Sequence, residues 1–190
     1  MKFFKSYTGA AVVLAAAVLA SILLGSHRSL TAERNRVEAL FYSGTDSSGY
    51  SIATDLSDCL TVAVNLRTVA GRYLDSAALE ALQGSCRELE AALDKSTHYY
   101  SIGNAGRSYQ RLTEEAQAVI TALEDCTLTE KDAQYVRGFQ AELLARADSI
   151  RYSGYHQQAE QFNRQILGRF PANLLGRLTF VREAEAFPVS

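Results

Sequence analysis

Apolar residues recur along most of this chain every three or four positions, the spacing that lines them up on one face of an α-helix. Leu30, Val37 and Phe41 predict a short first helix, ending in the Gly/Ser/Asp-rich loop YSGTDSSGY at 42–50, where the chain reverses. A second stripe, Ile52, Leu56, Leu60, Ala63, Leu66, Ala70 and Tyr73, runs to Asp75-Ser76, where either side chain can cap a new helix. The spacing predicts a kink or break there, then a continuing helix through Leu79, Leu82, Cys86, Leu89 and Leu93. After the polar loop STHYYSIGN at 96–104, Tyr109, Leu112, Ala116, Ile120 and Leu123 form a third stripe that needs partners on both sides. Thr127 and Glu130 have the spacing of a capping box, in which hydroxyl and carboxylate each satisfy an orphan backbone N–H. From there Val136, Phe139, Leu143, Ala147, Ile150, Ala159, Phe162 and Ile166 predict one last helix up to Gly168, about 40 residues or ~60 Å.

Such stripes bury themselves in an antiparallel bundle with left-handed, coiled-coil-like packing, and the short link at 126–129 makes the last two helices neighbours. The expected fold is all-α, an up-and-down four-helix bundle. Gly168 is positioned to end the last helix, and Pro171 to keep it from resuming in register.

The N-terminal segment has a different pattern. After Lys2 and Lys5, the run from Thr8 to Leu24 carries no charge and is closed by Gly25 and Ser26. Seventeen residues make roughly 26 Å of helix, slightly short of a hydrocarbon layer of ~30 Å, and Phe4 and Tyr7 extend it. A cleaved signal peptide shares the basic start and apolar middle, but Leu-Leu-Gly-Ser-His offers no convincing pair of small residues for cleavage and no cysteine comes after it to accept a lipid. The expectation is an uncleaved single-pass transmembrane helix preceding the bundle. Lys2 and Lys5 are nearly balanced by Arg28, Arg34 and Arg36, so charge gives no orientation. If the first helix leaves the membrane, the fourth points back, bringing Gly168 and the residues beyond it near the bilayer. The expected boundaries are an anchor at 1–26, a bundle at 27–168 and a C-terminal cap or membrane-proximal tail at 169–190.

Composition narrows the function classes. A net charge of −2 in 190 residues, 21% of them charged and well mixed, lacks the basic face that nucleic acid demands. Two prolines and no tryptophan accord with helices rather than with the frequent turns of a sandwich or barrel. Cys59, Cys86 and Cys126, odd in number and far apart, read as small apolar residues on separate helices rather than a disulfide framework.

Candidate chemistry is sparse. His156 and Glu160, at i and i+4 on the last helix, are the one pair suited to a metal or ligand between helices, and two ligands are too few without others converging. His98 beside Tyr99 and Tyr100 reads as an interhelix connector, and Glu114-Glu115 and Glu183/Glu185 as solvated charges. No nucleophile elbow, phosphate loop or dinucleotide glycine pattern occurs, so neither a cofactor nor catalysis is expected. The C-terminal stretch is more distinctive. Arg164, Arg169, Arg177 and Arg182, with no acid between Glu160 and Glu183, interleave with Phe170, Leu174, Leu175, Leu178, Phe180 and Val181. One reading is an interfacial segment at a bilayer. The plainer one is that the arginines complement the negative end of the last helix while the apolar residues fold back to cap the bundle.

Tyr152, Tyr155, Phe162-Asn163, Ile166, Phe170-Pro171, Asn173-Leu174, Leu178 and Phe180 together resemble the terminal motif of the LemA family, in which a long last helix precedes Phe-Pro-x-Asn and leucines. Leu30, Val37 and Phe41, and NLRTVAGRYL at 65–74, are similar to the first and second helices of that family. The chain departs from the pattern in lacking the family's tryptophan and a proline before Asn65, and in the Gly/Ser-rich loop at 44–49. The resemblance implies a divergent member: a helical bundle behind one N-terminal transmembrane helix, with the short N-terminus facing outward and the bundle inward, and no set of catalytic residues. The function expected is therefore a non-enzymatic interaction or scaffold role at the bacterial cell envelope, with the lipid bilayer and an unidentified protein as partners. The site residues expected are the family-motif positions Phe170, Pro171, Asn173 and Leu174, together with Arg169 and Arg177 as a membrane-proximal contact. The rival expectation is a ligand- or metal-binding enzyme or sensor built around His156 and Glu160.

Overall fold

The computed structural model describes residues 7–45 and 50–188, and among them all regular structure is helical. In chain order the helices are α1 (Tyr7–Ser43), α2 (Ile52–Ala70), α3 (Ser76–Leu93), α4 (Ile102–Glu124), α5 (Glu130–Arg151) and α6 (Gly154–Glu160), then a π-helical stretch (Gln161–Leu167) and α7 (Ala172–Leu178). The flanking Lys2, Phe4 and Lys5, and positions 46–49 of the first loop, lie outside the described residues.

Short polar side chains start four of these helices. Ser51, Asp75, Ser101 and Thr129 each sit in extended backbone and accept from the N–H three residues on, at 3.1, 2.8, 3.0 and 3.2 Å. Each bond satisfies one donor that the helix itself leaves orphaned. The cap of α5 is thus Thr129, not the expected Thr127. The side chain that would complete a capping box here, Asp132, is drawn instead to Arg72 and Tyr73.

Three helix boundaries differ from those predicted. The anchor and the first helix are a single helix, because Gly25 and Ser26 continue in α1 without a break. A glycine inside a helix costs only about 1 kcal/mol, and termination comes at Gly44, whose φ of 78° and N–H to Leu40 O close α1 in the left-handed form that suits glycine. The second stripe does not continue through Asp75. Residues 71–75 turn the chain back, with Gly71 and Leu74 donating to Arg67 and Ala70 carbonyls, so that α3 packs against α2. The last helix is broken at Tyr152 and Ser153. Ser153 Oγ accepts from Tyr155 N–H, and a Cβ at Gly154 would lie 2.7 Å from Thr45 Oγ1, so the residue that restarts the helix must be small.

Packing tracks the apolar stripes closely for α2, α3 and α4. Ile52, Leu56, Cys59, Ala63, Leu66 and Ala70 of α2 are buried, as are Leu79, Leu82, Cys86 and Leu89 of α3 and Tyr109, Leu112, Ala116, Ile120 and Leu123 of α4. Helix α3 packs mainly on α4, and α5 mainly on α2. Of the α5 stripe only Val136 and Ile150 are buried, while Phe139 and Leu143 are half-buried. Helix α5 is held at both ends by polar clasps. Asp132 in its first turn accepts from Arg72 Nη1 at 2.7 Å and Tyr73 Oη at 2.6 Å, just beyond the end of α2. In its last turns Arg146 and Ser149 donate at 3.2 and 2.7 Å to Asp55, in the first turn of α2. These pairings make α2 and α5 antiparallel.

The chain divides into two compact units. One comprises Met1–Glu38 with Gln158–Ala184, the other Ala39–Gln157 with Glu185–Ser190. Residues 169–184 therefore group with the apolar helix.

Candidate functional site: the C-terminal segment beside α1

The π-helical stretch ends at Leu167, and Gly168 comes next in right-handed backbone, φ −77°. Glycine is required there by space rather than by φ, since a Cβ would sit 2.7 Å from the Arg164 carbonyl oxygen. A new helix, α7, begins directly after Pro171, whose missing N–H is no loss at a helix start. Its residues sort onto two sides. Gly176 is buried and Ala172 and Leu175 half-buried, whereas Leu174, Arg177 and Leu178, related by three- and four-residue steps, face solvent. Leu174 is 51% and Leu178 57% exposed.

The end of α7 is closed by a Schellman pair: Val181 N–H donates to Gly176 O at 2.9 Å and Phe180 N–H to Arg177 O at 3.4 Å. The residue this motif places in left-handed backbone, normally glycine, is Phe180 at φ 57°. Phe180 is 88% exposed, and Phe170, before Pro171, is 80% exposed.

Two hydrogen bonds fix this segment against α1: His27 Nδ1 bonds the Thr179 carbonyl at 3.1 Å and Arg34 Nε donates to Glu183 O at 3.1 Å, while Gly176 sits where a Cβ would come within 3.9 Å of Leu30 Cδ1. Asn163 then pins the return of the chain, exchanging bonds of 3.0 and 2.8 Å with the backbone O and N–H of Ala184. Thr179 and Phe180 thus lie beside His27, three residues or about 4.5 Å of helix rise beyond Leu24. Below that level the helix is apolar and bare: Val12, Val13, Leu14, Val18, Leu19, Ile22 and Leu24 are exposed, with 6% of the apolar window buried and a mean hydropathy of 2.3. This helix is long and apolar enough to cross a membrane. Ser21 Oγ, within the apolar run, donates to the Ala17 carbonyl and is satisfied inside the helix.

The charge on this segment is of one sign. Arg164 pairs with Glu160 at 2.7 Å in an exposed i,i+4 contact of small energetic weight. Among the described residues Arg28, Arg169, Arg177 and Arg182 are exposed and join no ion pair. Of the apolar residues expected to fold back, Leu175 and Val181 are half-buried, while Phe170, Leu174, Leu178 and Phe180 point outward. Asn173 accepts from the N–H of Leu174 at 2.7 Å.

The other sequence candidates are engaged elsewhere. His156 Nε2 bonds the Ile150 carbonyl at 2.8 Å and its ring faces Phe187, and Glu160 is turned to Arg164. Among the described residues no group of three or more His, Cys, Asp or Glu side chains converges as a metal site. His98 lies against Tyr99, and Glu185 Oε2 accepts from Gly103 N–H at 2.9 Å, capping α4 rather than standing in solvent. The cysteines are free: Cys59 and Cys86 are buried, Cys126 half-buried. Burial, with the Asp55 carboxylate nearby, pushes the Cys59 thiol up to about 12.

Two features escaped the periodicity. One is the pair of aspartate clasps on α5, where the hydrogen bond from Tyr73, then those from Thr129 and Arg72, hold the Asp132 carboxyl below its ordinary value. The other is an aromatic cluster in which Phe41, Tyr155 and Phe187 meet at 5.7 and 5.8 Å, Tyr155 Oη donates to the Glu185 carbonyl, and Pro188 rests so close on Gly106 that a Cβ there would lie 2.3 Å from it. Both join residues distant in sequence, so no local pattern marks them. An open groove of about 760 Å³ between α3 and α4, lined by Arg87, Tyr99, Arg107 and Arg111, has Arg111 tied to both oxygens of Glu88 at 2.8 and 2.7 Å. No protein-family model, curated protein or solved structure matches the chain.

Proposed function

We propose that this protein is a single-pass membrane protein with a non-enzymatic interaction or scaffold role, in which the apolar half of α1 spans the bilayer and holds a helical body at its surface. The observation that carries this reading is the bare apolar surface from Val12 to Leu24, whose side chains find no cover in the folded chain. A contiguous apolar surface of that length is solvated by lipid rather than water. Helices α2 to α5 form the antiparallel four-helix bundle of the body, a reading supported by the two clasps that set α2 against α5. Membership of the LemA family is part of the proposal and rests on the residues quoted from 152 to 180. An unidentified protein partner belongs to the same proposal.

Alkaline carbonate washing of membranes from cells making the full chain tests this. The protein is expected to stay in the pellet and to keep residues 1–26. Release into the wash, or a mature chain beginning beyond residue 20, would replace the anchor with a peripheral or secreted protein.

A further inference from the structure

The outward side of α7 and the turn after it are unlike the rest of the body. Leu174 and Leu178 share the exposed face with Arg177, a phenylalanine occupies a left-handed position that glycine fills at lower cost, and the guanidinium groups of Arg169, Arg177 and Arg182, with that of Arg28 on α1, stand without acidic partners among the described residues. At the end of the preceding helix the Ile166 carbonyl is taken by the backbone N–H groups of Gly168 and Arg169, so it needs no arginine side chain. A phenylalanine in left-handed backbone is strained, and strain of this kind clusters where the displayed side chain has a use. Here it directs the Phe180 ring outward at the level of His27, just past the end of the apolar run.

We propose that residues 169–182, with Arg28, form a binding site for anionic phospholipid. Leu174, Leu178 and Phe180 enter the boundary between headgroups and acyl chains, and the guanidinium groups of Arg28, Arg169, Arg177 and Arg182 hold lipid phosphates. The proposal rests on the anchored reading, which puts a bilayer surface at this level of α1. Guanidinium suits the ligand because its planar fork donates two parallel hydrogen bonds to a phosphate. Exposed leucine and phenylalanine set among unpaired arginines are the composition of segments that lie in a membrane interface. A protein partner would need an acidic surface in the space the headgroups occupy, whereas an anionic leaflet supplies that charge directly.

The chain contains no tryptophan, so a Phe180→Trp variant reports from this site alone. The full-length variant is reconstituted into vesicles of phosphatidylcholine with a minor fraction of phosphatidylglycerol, with brominated acyl chains placed on one lipid or the other. The indole emission is expected to shift to the blue, and brominated phosphatidylglycerol to quench it about five-fold more effectively than the same fraction of brominated phosphatidylcholine, the enrichment one favourable arginine contact supports. Adding R169Q, R177Q and R182Q, three exposed positions, should bring the two lipids to parity with the circular dichroism unchanged. Equal quenching by both lipids with the arginines present would overturn the proposal, as would a water-exposed emission quenched by neither while the protein resists carbonate extraction. Loss of the protein from carbonate-washed vesicles would overturn the anchored reading and this proposal with it.

Discussion

The two units of the chain treat the same residue types in opposite ways. In the unit built from α2 to α5, α4 turns its leucines and isoleucines inward: it buries nine of its residues, and every apolar position of its stripe is among them. In the unit built from the first part of α1 and residues 158–184, Leu14, Leu19, Leu24, Leu174 and Leu178 are turned outward. Composition does not separate the two cases, since both segments are rich in leucine and alanine. What separates them is periodicity. A stripe on α4 leaves a polar face for water, whereas the run from Val12 to Leu24 is apolar all round and has no face to give to water.

The contrast can be broken most strongly at α1. Leu14→Arg with Leu19→Arg places two charges in the apolar run, a penalty of about 5–7 kcal/mol for insertion. Carbonate extraction is expected to show the doubly substituted chain lost from the pellet, with the helical body still folded by circular dichroism.

A matched pair of leucines sharpens the contrast. Leu112→Ala, at a fully buried position of α4, is expected to destabilise the body by about 3 kcal/mol in chemical denaturation, from lost transfer energy and the cavity left behind. Leu174→Ala, at an exposed position of α7, should leave the denaturation midpoint within about 0.5 kcal/mol of the parent. Comparable losses at both sites would mean that α7 is buried in the working protein.

Acid tests how the body is held at α5, where two aspartates replace much of the apolar contact. The Asp132 carboxyl titrates below its ordinary value because Tyr73, Thr129 and Arg72 favour its charged form. A lowered folded value means that the stabilisation is complete above the unfolded pKa of about 3.9 and is lost as pH falls through the folded value. Amide exchange along the first turns of α5 is therefore expected to accelerate below about pH 4 before that of α4 does. Asp132→Asn should remove much of this pH dependence.

The smallest expected effect is at Phe180. Replacing it with glycine relieves the left-handed backbone and should raise thermal stability by about 1 kcal/mol. Unchanged or reduced stability would show that the Phe180 ring makes a contact worth more than the strain.

Much of this architecture was legible in the sequence, and the failures share a cause. The stripes of α2, α3 and α4 name the residues the core buries, because each helix has neighbours on its apolar side. The stripe of α5 overstates its burial: Phe139 and Leu143 have the right spacing, but α5 packs mainly on α2 and their sides are only partly covered. The reversal at 71–75 was hidden because Gly71 keeps right-handed backbone and no proline intervenes. The turn is stabilised by Arg72 and Tyr73 reaching Asp132, 60 and 59 residues away. At the candidate site, the basic and apolar character of 164–182 is plain from composition. Which leucines face outward depends on Gly176 seating against Leu30 and Leu167, a long-range fit that spacing alone does not encode.

The central claim, that α1 passes from lipid into water between Leu24 and Asn35, is tested most directly by thiol labelling in intact membranes. Single cysteines are introduced as Leu19→Cys or Asn35→Cys in a chain also carrying Cys59→Ala, Cys86→Ala and Cys126→Ser. A membrane-impermeant maleimide requires a hydrated thiolate. Asn35→Cys is expected to label from one side of the membrane only, and Leu19→Cys to stay unlabelled until detergent is added. Labelling of Leu19→Cys at the rate of Asn35→Cys in intact membranes would contradict the account.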